Sequence, residues 1–160
     1  MIKIMADTNV FLYYFFKIDD SKLLLINSLL KESLHKRVQL LITTRILDEL
    51  IFKSIILSSG LNTKKLKSDK EKMKEYGHII RNIFGFIKEF NIEIREIKLN
   101  HYEKLQNCVE EYGLFPNDCL TLIVMNSLNL KYIATFDEDF DNTFAVNWFK
   151  IRKGQKRGHP

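Results

Sequence analysis

MIKIMADTNVFLYYF, residues 1–15, begins with a short apolar segment that ends at an aspartate. Ile2–Ala6 has the length and composition of a buried β-strand, and Asp7 follows it directly. A carboxylate at the end of a buried strand carries a large desolvation penalty unless other groups compensate it. The fold and the function of the chain therefore depend on which residues lie beside Asp7.

The composition is that of an ordinary globular domain. The chain has 160 residues, of which 46% are hydrophobic and 28% charged, so we expect one domain with a substantial core. The longest apolar run, Val10–Phe16, is far shorter than the roughly 20 residues that a membrane-spanning helix needs. No signal peptide is evident, and Cys108 and Cys119 are too few for a disulfide framework. These features predict a cytosolic protein with reduced thiols.

The positive charge is concentrated at the C-terminus. The formal net charge is +5, and residues 150–160 hold five basic residues and no acidic one, so the rest of the chain is neutral. The five are Lys150, Arg152, Lys153, Lys156 and Arg157. Such a segment can bind RNA phosphates, although a solvated end that aids solubility is the favoured interpretation of the charge alone. We expect a domain over residues 1–149 and a basic tail over residues 150–160.

Strand-like and helix-like segments alternate along the chain. Strands are predicted at Ile2–Ala6, Val38–Thr43, Ile92–Ile97, Lys131–Thr135 and Phe144–Phe149. Helices are predicted from Asp20 or Ser21 to about His35, at Arg45–Ser58, in a segment ending near Asn91, at His101–Tyr112 after a cap at Asn100, and at Asn117–Ser127. The lysine-rich segment Leu61–Glu75 is expected to be exposed or mobile. This order predicts an α/β fold with a mainly parallel sheet covered by helices on both faces.

Four acidic residues occupy matching places in this predicted fold. Asp7 and Asp137 directly follow strands, Asp118 lies in the first turn of a helix, and Glu49 lies one turn into another helix. Because strands end and the following helices begin at the same edge of such a sheet, the four carboxylates can converge on one crevice. Three have an ordinary explanation on their own: a helix N-terminus for Asp118, a turn for Asp137, and pairing with Arg45 for Glu49. Asp7 is the hardest to explain in this way, because a strand end flanked by apolar residues offers little solvent. The coincidence of all four favours a site.

Converging carboxylates point to a particular chemistry. They repel one another, raise one another's pKa and are tolerated when a hard cation offsets their charge. Ligand sets made only of oxygen suit Mg²⁺ or Mn²⁺, and one or two such ions can activate water and stabilise the leaving oxygen of a phosphodiester. The four histidines are scattered, and neither GxGxxG nor GxxxxGK[ST] occurs, so there is no sign of a zinc site or a phosphate-binding loop.

The segments around the four acids together resemble the PIN-domain ribonucleases, the family that includes VapC-like toxins. They are ADTNVFLYY around Asp7, LDELIFKS around Glu49, PNDCLTLIVMNSLNL around Asp118 and IATFDEDF around Asp137. The resemblance extends from Met1 to about Trp148. It implies a three-layer α/β/α sandwich and metal-dependent hydrolysis of single-stranded RNA, either by a toxin of a toxin–antitoxin pair or by an RNA-processing enzyme.

The resemblance also implies roles for individual residues and partners. Asp7, Glu49, Asp118 and Asp137 become the catalytic quartet that binds one or two Mg²⁺ or Mn²⁺ ions. Asn9 and Thr135 become supporting residues, and Asp139 shares or replaces the role of Asp137. Basic residues outside the quartet, including those of the tail, would hold the RNA backbone. An antitoxin and a homodimer are partners that the family makes plausible.

Two other functions remain open. A PIN-like domain without catalysis can serve as an RNA-binding or assembly module. A phosphatase of the haloacid dehalogenase type also begins with an aspartate at a strand end, but Asn9 stands where its second aspartate is needed, so it ranks third. The segment Leu61–Phe90 is long and lysine-rich compared with a minimal toxin, which indicates that partner surfaces differ.

Overall fold

The computed structural model describes the backbone of residues 1–155 and the side chains of residues 1–151. Five strands form a parallel sheet in the order β3-β2-β1-β4-β5. They are β1 (Ile2–Ala6), β2 (Val38–Thr43), β3 (Glu93–Arg95), β4 (Tyr132–Ala134) and β5 (Val146–Asn147). With the helices packed around this sheet, the chain is a three-layer α/β/α sandwich, as predicted.

Helices connect the strands and extend the chain beyond the last one. They are α1 (Thr8–Phe16), α2 (Asp20–Leu34), α3 (Thr44–Ser59), α4 (Thr63–Ser68), α5 (Lys70–Glu75), α6 (Gly77–Glu89), α7 (Leu99–Tyr102), α8 (Leu105–Tyr112), α9 (Pro116–Ser127) and α10 (Trp148–Gln155). A 3₁₀-helix spans Glu138–Asn142. Between residues 1 and 155, no helix is long and apolar enough to cross a bilayer.

The central strand β1 determines where the candidate site lies. Ile4, Met5 and Ala6 have no solvent exposure, because strands flank β1 on both sides and helices cover its faces. The chain proceeds from β1 to β2 and β3 in one direction, and β4 and β5 lie on the other side. The carboxyl end of β1 therefore lies where the strand order reverses, which is the usual place for a ligand crevice in an open α/β sheet.

Capping residues delimit two of the helices that follow this edge. Thr43 ends β2 and caps α3, since its hydroxyl accepts a hydrogen bond from the Ile46 amide at 3.1 Å. Gly60 ends α3 with a φ of 61°, a left-handed conformation in which glycine carries no steric penalty. Pro116 occupies the first turn of α9, where its missing N–H is not needed. These helix ends agree with the prediction.

Elsewhere the structure differs from the sequence-based expectation. The apolar run after Asp7 forms α1, for which we predicted no element, and the lysine-rich segment contains the short helices α4 and α5. The helix predicted at His101–Tyr112 is divided into α7 and α8. It begins after Lys98 rather than Asn100, because the His101 ring accepts a hydrogen bond from the Lys98 amide at 2.9 Å.

The C-terminal region also differs from the prediction. The strand expected at Phe144–Phe149 is limited to β5, because α10 begins at Trp148. Asn147 accounts for this change of structure: its side-chain oxygen accepts a hydrogen bond from the Phe149 amide at 3.1 Å. Helix α10 crosses the boundary at residue 150 that we predicted between domain and tail. That domain boundary stays a prediction.

Candidate active site

Asp7 lies at the carboxyl end of β1 and is surrounded by hydrogen-bond donors. One oxygen accepts from the Thr8 amide at 2.6 Å, and the other accepts from Asn9 Nδ2 at 2.6 Å and Thr135 Oγ1 at 2.8 Å. Burial raises the pKa of Asp7 to about 6, although the hydrogen bonds from Thr135 and Thr8 act in the opposite direction. The nearby Glu49 carboxylate raises the same pKa further. Asp7 is thus a well-oriented carboxylate that is costly to ionise.

Asn9 and Thr135 join the end of β1 to the loop after β4. The Thr135 hydroxyl accepts from Asn9 Nδ2 at 3.2 Å and from the Asp137 amide at 3.0 Å, while it donates to Asp7. Asn9 Oδ1 accepts from the Phe136 amide at 3.2 Å. Both residues lie beside the acidic quartet, at the places where the sequence suggested supporting groups. Their geometry fixes the Asp7 carboxylate relative to the start of the Asp137 loop.

Glu49 reaches the same region from α3. Its Oε2 accepts from Thr8 Oγ1 at 3.1 Å, which connects α3 to the first residue of α1. Its Oε1 lies 2.5 Å from Lys53 Nζ, one helical turn further along α3. Lys53 therefore neutralises one of the four acids. Sequence reasoning missed this ion pair, although the i, i+4 spacing of Glu49 and Lys53 is a signal that could have predicted it.

Asp118 shares an electrostatic environment with the other acids. It lies in the first turn of α9 and is half-buried. Desolvation raises its pKa to about 6, and the charges of Asp7, Asp137, Glu49 and Asp139 raise it further, in that order. The structure therefore brings the four predicted acids together at one edge of the sheet.

Asp137 and Asp139 lie together at the start of the 3₁₀-helix. Asp137 caps this helix, and its Oδ1 accepts from the Asp139 amide at 2.9 Å. Asp137 is half-buried and Asp139 is exposed. Asp139 is close enough to influence Asp118 electrostatically, but the other three acids have the larger effect.

The four carboxylates offer only oxygen ligands and influence one another electrostatically, so they fit a hard divalent cation. Two half-buried carboxylates with raised pKa values are the environment that a cation stabilises. The side chains are nevertheless engaged with protein partners, since Asp7 binds Asn9 and Thr135. Between residues 1 and 151, no three acidic, histidine or cysteine side chains form a ready ligand group for a metal. The four acids therefore share one electrostatic environment, although the described residues contain no ready ligand group for an ion.

A lysine at the start of α2 lies over two aromatic rings, one of which belongs to the residue before Asp137. Lys22 Nζ donates to the Tyr13 hydroxyl at 2.8 Å and lies 4.0 Å from the centre of the Tyr13 ring. It also lies 5.2 Å from the centre of the Phe136 ring, and Phe136 directly precedes Asp137. Sequence reasoning missed Lys22, because its position depends on how the turn between α1 and α2 packs on the loop after β4.

The basic tail is only partly described. Lys150 forms an ion pair with Asp141 of the 3₁₀-helix, so one of the five predicted RNA-binding residues contacts a carboxylate. The side chains of Arg152, Lys153, Lys156 and Arg157 lie outside the described residues. Their role in RNA binding stays a prediction.

Comparison with known proteins gives a family and a fold. The model of the PIN domain family matches residues 4–144. The structure is similar to one described as the crystal structure of VapBC2 from Rickettsia felis bound to a DNA fragment from their promoter. The TM-score is 0.55 and the sequence identity 22%, over 92% of this chain and 97% of the other. That likeness concerns the fold. A search of curated proteins returned no match.

Proposed function

The chain belongs to the PIN domain family, and from this premise we propose that it is a divalent-metal-dependent endoribonuclease that hydrolyses single-stranded RNA. The observation that carries the proposal is the convergence of four carboxylates where the strand order of the sheet reverses. PIN domains are generally nucleases, and a cluster of acids without a histidine or cysteine nucleophile fits metal-assisted hydrolysis. The quartet is Asp7, Glu49, Asp118 and Asp137.

These four residues are the ones that would hold Mg²⁺ or Mn²⁺. When bound, such an ion supplies a Lewis acid that lowers the pKa of water and offsets negative charge on the phosphate. The chain's own residues prepare the site for this role: Asn9 and Thr135 orient the Asp7 carboxylate, and Lys53 holds Glu49. Asp139 extends the acidic site beside Asp137 and shares or replaces its role.

Basic side chains around the quartet would hold the RNA backbone. Lys22 presents its ammonium group next to Phe136, and the two aromatic rings beneath it restrict its position. Phosphates of a bound strand flanking the cleaved bond are the natural partners of this group. The tail residues Lys150, Arg152, Lys153, Lys156 and Arg157 would add contacts of the same kind.

We propose that the nuclease acts as a VapC-like toxin, with an antitoxin as its protein partner. Support comes from the family and from the likeness in fold to VapBC2. A homodimer and a cytosolic location belong to the same proposal, and the free thiols of Cys108 and Cys119 agree with a reducing compartment. Routine RNA processing is the alternative role. A small upstream reading frame that overlaps the gene would favour the toxin.

A second candidate is a PIN-like RNA-binding or assembly module without catalysis. The observation that favours it is that Asp7 and Glu49 are already bonded to protein groups, with no ready ligand group in the described residues. A module of this kind would bind RNA without cutting it, and divalent cations would not change its properties. Cleavage therefore separates the two candidates.

The test is cleavage of a fluorogenic single-stranded RNA by the purified protein with Mg²⁺ or Mn²⁺. We expect cleavage that EDTA abolishes and that Asp7→Asn lowers by at least about a hundredfold, because an interaction used in the transition state is lost. Asp69→Asn is the matched control, since Asp69 is an exposed N-cap of α5 and asparagine also caps helices. Cleavage that persists in both EDTA and Asp7→Asn would refute the proposal.

A further inference from the structure

Phe115 is an exposed aromatic residue next to the acidic quartet. Its exposure is 76%, against 52% for Phe52, which is the next most exposed phenylalanine of the described residues. An aromatic side chain left in water beside a polar site is a poor contribution to folding and a good contact surface for a ligand. We infer that Phe115 stacks on a base of single-stranded RNA next to the cleaved phosphate, an inference that rests on the proposed ribonuclease function.

The backbone holds Phe115 in a fixed relation to Asp118. Phe115 is the N-cap residue of α9, and its carbonyl accepts hydrogen bonds from the amides of Asp118 and Cys119, both at 3.0 Å. Pro116 follows, which restricts Phe115 to the extended conformation seen here, with φ −61° and ψ 148°. Residues three positions apart at a helix start are surface neighbours, so the ring is attached within one helical turn of the carboxylate.

The surroundings of Phe115 fit a nucleic acid strand. Asn117, between Phe115 and Asp118, accepts a hydrogen bond from Arg45 Nε at 3.2 Å, which brings a guanidinium group to the same helix end. The Arg45 side chain is 41% exposed, although it also pairs with Asp48. An aromatic ring beside a cation is the combination that proteins use to bind single-stranded nucleic acids without reading their sequence.

Stacking has a signature that a simple apolar contact lacks. A base needs a flat aromatic partner for stacking. We therefore expect Phe115→Trp to preserve RNA binding and Phe115→Leu to weaken it, although leucine keeps an apolar surface. Loss of one stacked base weakens single-strand binding by about tenfold.

The experiment measures RNA binding by variants made in the cleavage-deficient Asp7→Asn protein. The probe is a short single-stranded RNA with 2-aminopurine at successive positions, read by fluorescence anisotropy and by the fluorescence change on stacking. We expect Phe115→Ala and Phe115→Leu to weaken binding about tenfold and to lose the 2-aminopurine signal at one position, and Phe115→Trp to keep both. Phe84→Ala, on the exposed side of α6, is the matched control and should bind like the parent.

Three results would overturn the inference. Binding by Phe115→Ala that equals the parent excludes a stacking role and leaves the ribonuclease proposal intact. Weak binding by Phe115→Ala together with normal binding by Phe115→Leu indicates an apolar contact instead of stacking. Absence of RNA binding by the Asp7→Asn parent contradicts this inference, and the cleavage assay on the wild-type protein shows separately whether the proposed function also fails.

Discussion

At the scale of single residues, Asp7 shows how a site can be built at the expense of stability. The residue is half-buried at the end of the central strand β1, and burial raises its pKa to about 6. A carboxyl group with a raised pKa in the folded state stabilises the protein below its unfolded pKa and loses that contribution as the pH rises through the folded value. Without a cation, ionised Asp7 therefore opposes folding at neutral pH.

Replacing Asp7 with asparagine should stabilise the metal-free protein at neutral pH. In EDTA, we expect Asp7→Asn to raise the free energy of unfolding by about 2 kcal/mol at pH 7 and by much less at pH 4, since a shift of one pKa unit corresponds to about 1.4 kcal/mol. Urea denaturation across this pH range measures the difference.

Asp19→Asn is the control, because the contribution of Asp19 to the free energy of unfolding depends on pH in the opposite direction. The pKa of Asp19 is lowered by hydrogen bonds from the Ser21 side chain and the Lys22 amide. Its stabilising contribution is therefore present above the unfolded pKa and is lost as the pH falls. A stability difference for Asp7→Asn that does not grow between pH 4 and pH 7 would contradict the raised pKa.

At the scale of secondary structure elements, the site depends on hydrogen bonds between the ends of different elements. The Thr135 hydroxyl connects the end of β4 to Asp7 at the end of β1 and to the Asp137 amide in the following loop. Thr8, at the start of α1, connects to Glu49 on α3. The Thr135–Asp7 and Thr8–Glu49 hydrogen bonds join residues that are distant in sequence, so they set the relative positions of acids that come from separate elements.

Replacing Thr135 with valine should remove the hydroxyl that makes these hydrogen bonds and leave all four carboxylates in place. The Thr135 hydrogen bond lowers the pKa of Asp7, so Thr135→Val should raise that pKa further and move the acidic limb of the pH–rate profile to higher pH. We also expect the maximal cleavage rate to fall by about tenfold, because Asp7 loses its orientation.

The control for this substitution is Thr63→Val, which removes a hydroxyl from the remote helix α4. It should leave both the pH profile and the rate unchanged. A Thr135→Val protein with a reduced rate and an unshifted acidic limb would indicate that Thr135 supports only the fold.

At the scale of the whole molecule, the mainly parallel sheet could be predicted because strands and helices alternate, whereas the order β3-β2-β1-β4-β5 is known only from the structure. The ends of α3 and α9 carry local signals in Thr43, Gly60 and Pro116. Helix α1 could not be predicted in the same way. Its aromatic residues lack a clear helical period, and they pack on distant partners, such as Phe86 of α6 against Phe11.

The candidate site likewise contains residues that could be predicted from the sequence and residues that could not. The four acids could be placed at one edge because topology alone brings strand ends and helix starts together. The proposed roles of Lys22 and Phe115 could not be predicted from the sequence, since they depend on the turn after α1 and on the exposure of one ring. The pairing of Glu49 with Lys53 was accessible from spacing but competes with pairing to Arg45, which the structure shows bound to Asp48 instead.

The distribution of charge over the molecule predicts salt-dependent RNA binding. If Lys22 contacts one phosphate, Lys22→Met should reduce the slope of log affinity against log salt concentration by about 0.7, the value for one contact with a single strand. Methionine keeps the apolar part of the side chain over Tyr13. Fluorescence anisotropy with a short RNA in the Asp7→Asn protein measures the slope.

Lys36→Met is the matched control, because Lys36 is an exposed lysine at the other end of α2. It should leave the slope unchanged. Equal slopes for Lys22→Met and the parent would exclude a phosphate contact at Lys22.

The most direct test of the shared acidic site is Mn²⁺ binding, measured by electron paramagnetic resonance of the free ion at about pH 7.5, above the raised pKa values of Asp7 and Asp118. We predict saturable binding to the wild-type protein that is weakened at least tenfold by Asp7→Asn and by Asp118→Asn, because these residues come from different elements and share one environment. Asp69→Asn should bind Mn²⁺ like the wild type. Binding that is absent in the wild type, or unaffected by both substitutions in the quartet, would contradict the assignment of these carboxylates to one metal site.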